Sequence, residues 1–345
     1  MAGPKVRLGF SRAGTRMDEY LEWVKAADKA GADIIGFGDG QDLWIDPYVT
    51  LTLTAMHAPR SKVGPTVTNP VTRHPAVTAG AIATLQQASN GRAFLGIGTG
   101  LSALRNIGAK GASLAELEEY IRAVQGLTAG ETVSYRGKPM RLSWNPPRVP
   151  VFPGVTGPKM LRMAGRVADG LIVGGGVSEG EKVQRQLAQA RAGAEEAGRD
   201  MGELEVWWLT RVVPASSVEA GIDMMRDYLA GFGAHGFENP AVRAEAPKDI
   251  LEKIEVLERE YRWDLHLAGQ SAGEEVSINA ALLERLGIKE WLAKRFAITG
   301  PPETCIAGLR ELVDAGATNF IIPQVLPGPI ESTRVLGETV FPAFR

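Results

Sequence analysis

At 345 residues the chain is long enough for two ordinary domains, or for one α/β barrel carrying insertions. Hydrophobic residues make up 44% and charged residues 23%, a balance that excludes disorder, collagen-like repetition and coiled coil. Lys and Arg total 38 against 40 Asp and Glu, so a net charge of −2 offers no basic field for nucleic acid or anionic lipid. The lone cysteine, Cys305, can build neither an internal disulfide nor a thiolate metal cage, which fits a reducing cytoplasm. The opening stretch MAGPKVRLGFSRAG is too poor in apolar residues for a signal peptide, and no apolar run reaches the ~18 residues of a membrane span. A soluble cytoplasmic protein is expected.

In chain order, residues 6–10 form a short apolar run, and from Asp18 a helix places Tyr20, Leu21, Val24 and Ala27 on one face. Gly31 ends it, since the left-handed turn after a helix suits glycine. Residues 33–37 come next, apolar at nearly every position, as in a strand covered on both faces. This unit, a helix stopped by glycine and then an apolar strand, recurs around Gly91, Gly170 and Gly316. Further strands are expected at 62–67, 149–155 and 204–213, which brings the starts to eight: Val6, Asp33, Lys62, Ala93, Val149, Leu171, Leu204 and Asn319. Eight β-then-α units predict an α/β fold, a (β/α)8 TIM barrel, with a doubly wound open sheet as the alternative. Two stretches break the rhythm. Residues 128–150 read as a hairpin-like excursion, and residues 232–296 as a helical insertion after the seventh strand. The insertion would lie on the face where barrel sites form, shaping a substrate pocket or a subunit contact, or decorating the surface.

The strand ends that would converge on such a site carry Ser11 and Arg12, Asp39, Thr66, Thr68 and Asn69, Gly98 and Thr99, Thr156 and Gly157, Gly174, Gly175 and Gly176, Thr210 and Arg211, and Gln324. This is a ring of small hydrogen-bonding residues and glycines with one carboxylate. Glycines there let backbone approach a flat or phosphorylated ligand, or simply make tight turns. Other chemistries lack their residues. His57, His74, His235 and His266 show no metal-ligand spacing, and His74 before Pro75 suits a helix start. There is no G-x-S-x-G elbow and no Walker A lysine. The match of residues 98–103 to G-x-G-x-x-A lacks the acidic residue that would hold a ribose. Gly64-Pro65 falls inside a strand, where proline calls for a bulge or an unusual peptide bond.

The segment VGPTVTNPVTRHPAVTAGAIATLQQASNGRAFLGIGTG (residues 63–100) resembles the third and fourth βα units of the bacterial-luciferase-like oxidoreductases, most closely their methylenetetrahydromethanopterin reductase branch. GPKMLRMAGRVADGLIVGGG (157–176) and ITGPPETCIAGLRELVDAGATNFII (298–322) match the same family in the same order. The resemblance implies a single barrel domain over residues 1–345, a small-molecule substrate, a homodimer, and a flavin-type cofactor at the C-terminal face. F420 is favoured, with FMN the alternative. It also implies a bulge, often with a cis peptide, behind the cofactor ring, at the place of Gly64 and Pro65. Thr66, Asn69, Gly98 and Thr99 would flank the ring. Gly157, Pro158 and Lys159, with Gly174, Gly175 and Gly176, would receive the phosphate-bearing tail. Asp39 is the candidate catalytic residue, as cofactor hydrogen-bond partner or proton donor or acceptor. Some F420-dependent relatives have a histidine after this aspartate; here Gly40 takes that place, so an Asp–His relay is not expected. Trp44, Trp207 and Trp208 are candidates for the substrate pocket or for core. The expected reaction is hydride transfer between cofactor and a small organic substrate. The alternatives are an FMN-dependent monooxygenase served by a flavin reductase, and a flavin-binding protein without turnover.

Overall fold

The computed structural model describes residues 4–345 apart from 101, 106, 175, 177–178, 239 and 266–276. Its strands are β1 (Arg7–Arg12), β2 (Ile34–Phe37), β3 (Lys62–Pro65), β4 (Leu95–Ile97), β5 (Val133–Tyr135), β6 (Lys138–Met140), β7 (Val151–Val155), β8 (Gly170–Val173), β9 (Glu205–Leu209), β10 (Arg211–Pro214), β11 (Ala297–Gly300) and β12 (Asn319–Pro323). Eight of them form a sheet in the order β3-β2-β1-β12-β9-β8-β7-β4. Parallel bridges between Val63 and Ala93 and between Thr68 and Ile97 join its two edges, closing the barrel. Among the described residues no helix is long and apolar enough to cross a membrane.

Closure carries the irregularity expected of β3. From Val63 to Thr68 the chain takes five steps, while the paired segment from Ala93 to Ile97 takes four, so β3 bulges by one residue. Pro65 lies within the bulge, where its missing N–H interrupts no ladder bond. The cis peptide joins Thr66 to Val67, and not Gly64 to Pro65. Gly64 and Pro65 are still in register with Gly36 and Phe37 of β2, and that pairing requires extended trans backbone. The departure falls just past the end of the ladder.

Ile34, Phe94, Phe152, Ile172, Trp207 and Ile321 fill the barrel, with the rings of Phe94 and Phe152 stacked at 5.2 Å. Glycines make room for them. A Cβ on Gly64 would lie 2.2 Å from the Phe94 carbonyl oxygen, and one on Gly170 would lie 2.4 Å from that of Glu205. The outward faces of the strands, with Phe10, Phe37, Trp208 and Phe320 among them, pack under the helices. Caps fix where those helices begin. Asp46 accepts from the backbone of Tyr48 and Val49 ahead of helix Pro47–His57, and Ser113 with Glu116 forms a capping box on helix Leu114–Thr128. The excursion at 128–150 contains the antiparallel β5–β6 hairpin. Its turn residues Arg136 and Gly137 have φ of 50° and 74°, the pair of positive values that a two-residue type I′ turn needs.

The expected single strand over 204–213 is two. The backbone N–H of Thr210 gives the last barrel bond, to Ile321, after which the chain leaves the ring. Arg211 to Pro214 then pair with Ala297 to Gly300 of β11. Helices Arg226–His235, Lys248–Glu260, Ile278–Leu286 and Lys289–Phe296 lie between these two strands. They close over a core of their own, in which Leu229, Phe237, Ile254, Leu257, Leu283 and Leu292 are buried. The interval 232–296 thus spans most of these helices, while the excursion itself runs from β10 to β11.

Candidate active site

A cavity of about 750 Å³ opens at the C-terminal ends of β2, β3, β4 and β7, with the insertion forming its far wall. Asp39 and Trp44 come from the β2 side, the bulge supplies Thr66 to Asn69, Gly98 and Thr99 lie just past β4, and Gly154, Thr156 and Met160 come from β7 and beyond. Phe232, His235 and Phe296 face them from the insertion.

The Asp39 side chain is fully buried and held by two donors on one oxygen. The Thr68 hydroxyl donates to Oδ2 at 2.5 Å and the Arg73 guanidinium donates to the same atom at 2.6 Å. Arg73 is fixed in turn by Asp46 at 3.2 Å and by the Tyr48 ring beneath it at 5.1 Å. Burial works against the Arg73 cation, but Asp39, Tyr48 and Asp46 outweigh it and hold its pKa above the ordinary arginine value. The other carboxylate oxygen, Oδ1, is buried without a hydrogen-bond partner among the described residues, and so is the hydroxyl oxygen of Thr66. Both residues are on the cavity wall. Buried polar atoms are nearly always paired, so two orphans at one cavity mark where a ligand's polar atoms belong.

The bulge builds a raised edge between these groups. A Cβ on Gly98 or Gly154 would stand 3.1 or 3.2 Å from the Val67 side chain, so both glycines keep the space around Val67 clear. Gly36 does the same beneath Thr66, where a Cβ would meet the threonine methyl at 2.3 Å. The Asn69 carboxamide oxygen accepts from the Val71 and Thr72 backbone, tying down the chain after the bulge. The result is a slot with an acceptor and a hydroxyl on its wall. Its size and chemistry fit a tricyclic ring with polar edges and a small second ligand.

Of the residues singled out from sequence, Asp39, Thr66, Asn69, Gly98 and Thr99 lie together on this wall. Gly64 and Pro65 do not; both are buried in the barrel wall below it. Gly157, Pro158 and Lys159 start helix Pro158–Val167 between the wall residues Thr156 and Met160. Gly174 lies beside them, its Cβ position 3.9 Å from the Thr156 hydroxyl. Gly176, with φ of 75°, packs against the Phe296 ring, and Lys182 donates to its carbonyl at 2.8 Å. Gly175 is outside the described residues. Trp44 lines the cavity, whereas Trp207 is in the barrel interior and Trp208 under the helices. His74 accepts from the Ala76 backbone at the start of helix Pro75–Ala88. Sequence reasoning missed Arg73, Met160, Phe232 and His235 as members of the site. Only Arg73 carried a signal, a lone cation in the polar loop beyond a strand end. A larger groove of about 1260 Å³ lies between that loop and the β5–β6 hairpin, and Arg73, the partner of Asp39, lines it.

The family model described as luciferase-like monooxygenase matches residues 4–319. The chain is 29% identical to a 5,10-methylenetetrahydromethanopterin reductase of Methanolobus tindarius over 332 residues, covering 93% of this chain and 95% of the relative. It is 31% identical to an F420-dependent glucose-6-phosphate dehydrogenase of Nakamurella multipartita, covering 100% and 98%. Among solved structures, the F420-dependent tetrahydromethanopterin reductase of Methanopyrus kandleri superposes with a TM-score of 0.75 at 23% identity, covering 99% of this chain and 100% of that one.

Proposed function

This chain belongs to the luciferase-like monooxygenase family, and from that premise we propose that it is an F420-dependent oxidoreductase moving a hydride between the deazaflavin and a small organic substrate. The observation that carries the proposal is the pair of oxygens unpartnered among the described residues, Asp39 Oδ1 and Thr66 Oγ1, on the wall of one cavity. Two relatives named for F420-dependent or reductase chemistry match nearly the whole chain, which favours F420 over FMN. When bound, F420 supplies the two-electron chemistry. The chain's own groups orient and shield it. Thr66, Asn69, Gly98 and Thr99 would flank the ring, with Asp39 accepting a hydrogen bond and Arg73 keeping that carboxylate in place. Thr156, Gly157 and the first N–H groups of helix Pro158–Val167 would receive the tail phosphate, with Gly174 alongside. Trp44, Phe232 and Phe296 exclude water.

The test is titration of the purified protein with F420 and, separately, with FMN, monitored by fluorescence and calorimetry. Tight F420 binding with FMN ignored is expected. Preference for FMN would replace the proposal with a monooxygenase drawing reduced flavin from a partner reductase, and binding of neither would end it.

The working unit we propose is a homodimer. Helices Pro47–His57 and Pro75–Ala88 contain no Asp, Glu, Lys or Arg, and Val49, Met56 and Val77 on them are 58%, 70% and 59% exposed. A helix pair that is apolar on its outer side asks to be covered. Light scattering should return twice the chain mass of 36.9 kDa, and Val49→Lys with Met56→Lys should halve it.

A further inference from the structure

Arg211 opens β10, immediately after β9 leaves the ring. In the strand order β9 lies four places from β3 in either direction, so Arg211 stands across the mouth from the bulge. It is 4% exposed, with its guanidinium 4.1 Å over the Phe232 ring and 4.6 Å over that of Tyr228. One terminal nitrogen donates to the Tyr228 hydroxyl. Among the described residues its Nε and its other terminal nitrogen have no partner, and neither does the hydroxyl of fully buried Thr210.

Among the described residues no carboxylate is in ion-pair contact with Arg211. Tyr228 does not supply the charge either: burial pushes its phenol up and outweighs the opposite pull of Arg211, so it stays protonated. A guanidinium taken out of water is costly unless paired, and stacking on two rings offsets only part of that while giving its N–H groups no acceptor. Two open donors in a planar fork match the two oxygens of a carboxylate or phosphate. Thr210 can add a third donor, and the Tyr228 hydroxyl, which accepts from Arg211, keeps its own proton to give.

We propose that Arg211, Thr210 and Tyr228 form an oxyanion-recognition site, and that the substrate carries a carboxylate or phosphate held there. Phe232, which both carries the guanidinium and lines the cavity, joins this site to the slot. The anion end of the substrate would sit under the insertion while the reacting carbon turns toward the Asp39 wall. The proposal rests on the functional reading only in taking that cavity as the place of reaction. A cofactor tail also carries phosphate, but the helix start at Gly157 lies past β7, two strands away from β9, and is already suited to it.

The experiment measures binding of inorganic phosphate and of malonate to the ligand-free protein by calorimetry and thermal shift, at constant ionic strength with chloride as control, beside F420 binding. Wild type should show saturable stabilisation. Arg211→Gln should weaken anion binding about tenfold or more, the loss of a charge-assisted fork, and leave the F420 Kd within roughly twofold. Arg211→Lys, which keeps the charge and loses the fork, should fall about threefold and carries the test if the glutamine variant does not fold. No saturable anion binding by wild type, or equal binding by the variants, overturns the proposal. A tenfold loss of F420 affinity in either variant overturns it differently, by giving the fork to the cofactor tail. Because the anion arm is read without cofactor, failure to bind F420 or FMN would strike the functional reading and leave this site standing.

Discussion

The two halves of the barrel mouth are built from equivalent strand ends and have opposite characters. Around β2, β3, β4 and β7 the chain turns back quickly, leaving glycines, hydroxyls and one carboxylate at an open slot. Past β9 it runs on into the insertion, which roofs the mouth there and buries an arginine beneath two rings. Both sides hold buried polar atoms unpaired among the described residues: Asp39 Oδ1 and the Thr66 hydroxyl on the open side, two Arg211 nitrogens and the Thr210 hydroxyl on the roofed side. The loop or insertion leaving each strand, rather than the strand itself, decides what its end can bind. A ligand that satisfies both sides needs a donor edge at one end and an anion at the other.

The comparison can be broken most completely at the wall both halves share. Gly64→Ala drives a methyl against the Phe94 carbonyl at 2.2 Å, so chemical unfolding should report a loss of about 3 kcal/mol or more. A stable, fully active variant would mean that the glycine is not needed for packing. Arg73→Met acts on the open half alone, leaving the buried Asp39 carboxylate without its ion-pair partner at 2.6 Å. The expected cost is about 3 kcal/mol by urea denaturation, the lower end for a broken buried pair because Arg73 is partly exposed. Phosphate binding at Arg211 should survive that change, and its loss would show that the halves are not independent. Asp39→Asn should weaken F420 about tenfold in a fluorescence titration, as removal of a hydrogen bond to a charged group does. Thr66→Val should do less, roughly threefold, for one neutral hydrogen bond.

The smallest effect tests the border between the halves, at Lys182. Burial, reinforced by Arg295, lowers its ammonium to about 8 from an ordinary 10.5. Between those values the unfolded chain binds more protons than the folded one, so this residue makes stability rise with pH across that window. Below it the buried ammonium is a standing cost. Urea midpoints measured at about pH 7.5 and about pH 9.5 should climb more steeply for wild type than for Lys182→Met. Parallel slopes would show that the amine is solvated.

Much of the barrel was legible in the sequence, because a helix ended by glycine and succeeded by an apolar strand has a local cause and repeats. The split of residues 204–213 was not. An apolar run specifies burial, and nothing in LTRVV says that the ladder partner changes from β12 to β11 at Thr210. Asp39, Thr66, Asn69, Gly98 and Thr99 came together because they occupy strand ends, which the fold alone brings to one place. Arg73 escaped notice since its meaning is a partner 34 residues away. Gly64 illustrates the opposite error: a glycine that admits a neighbouring carbonyl looks, in sequence, like one that admits a ligand. Phe232 and His235 belong to an insertion whose direction no periodicity encodes.

The six side chains that fill the barrel plug it from within, so a ligand reaches the strand ends from the mouth. Cofactor and substrate would share the one cavity above that plug, and so share its opening. Ligands that share an opening are expected to enter in a set order, with the second inhibiting at high concentration when it enters ahead of the first, a pattern that initial-rate kinetics would check.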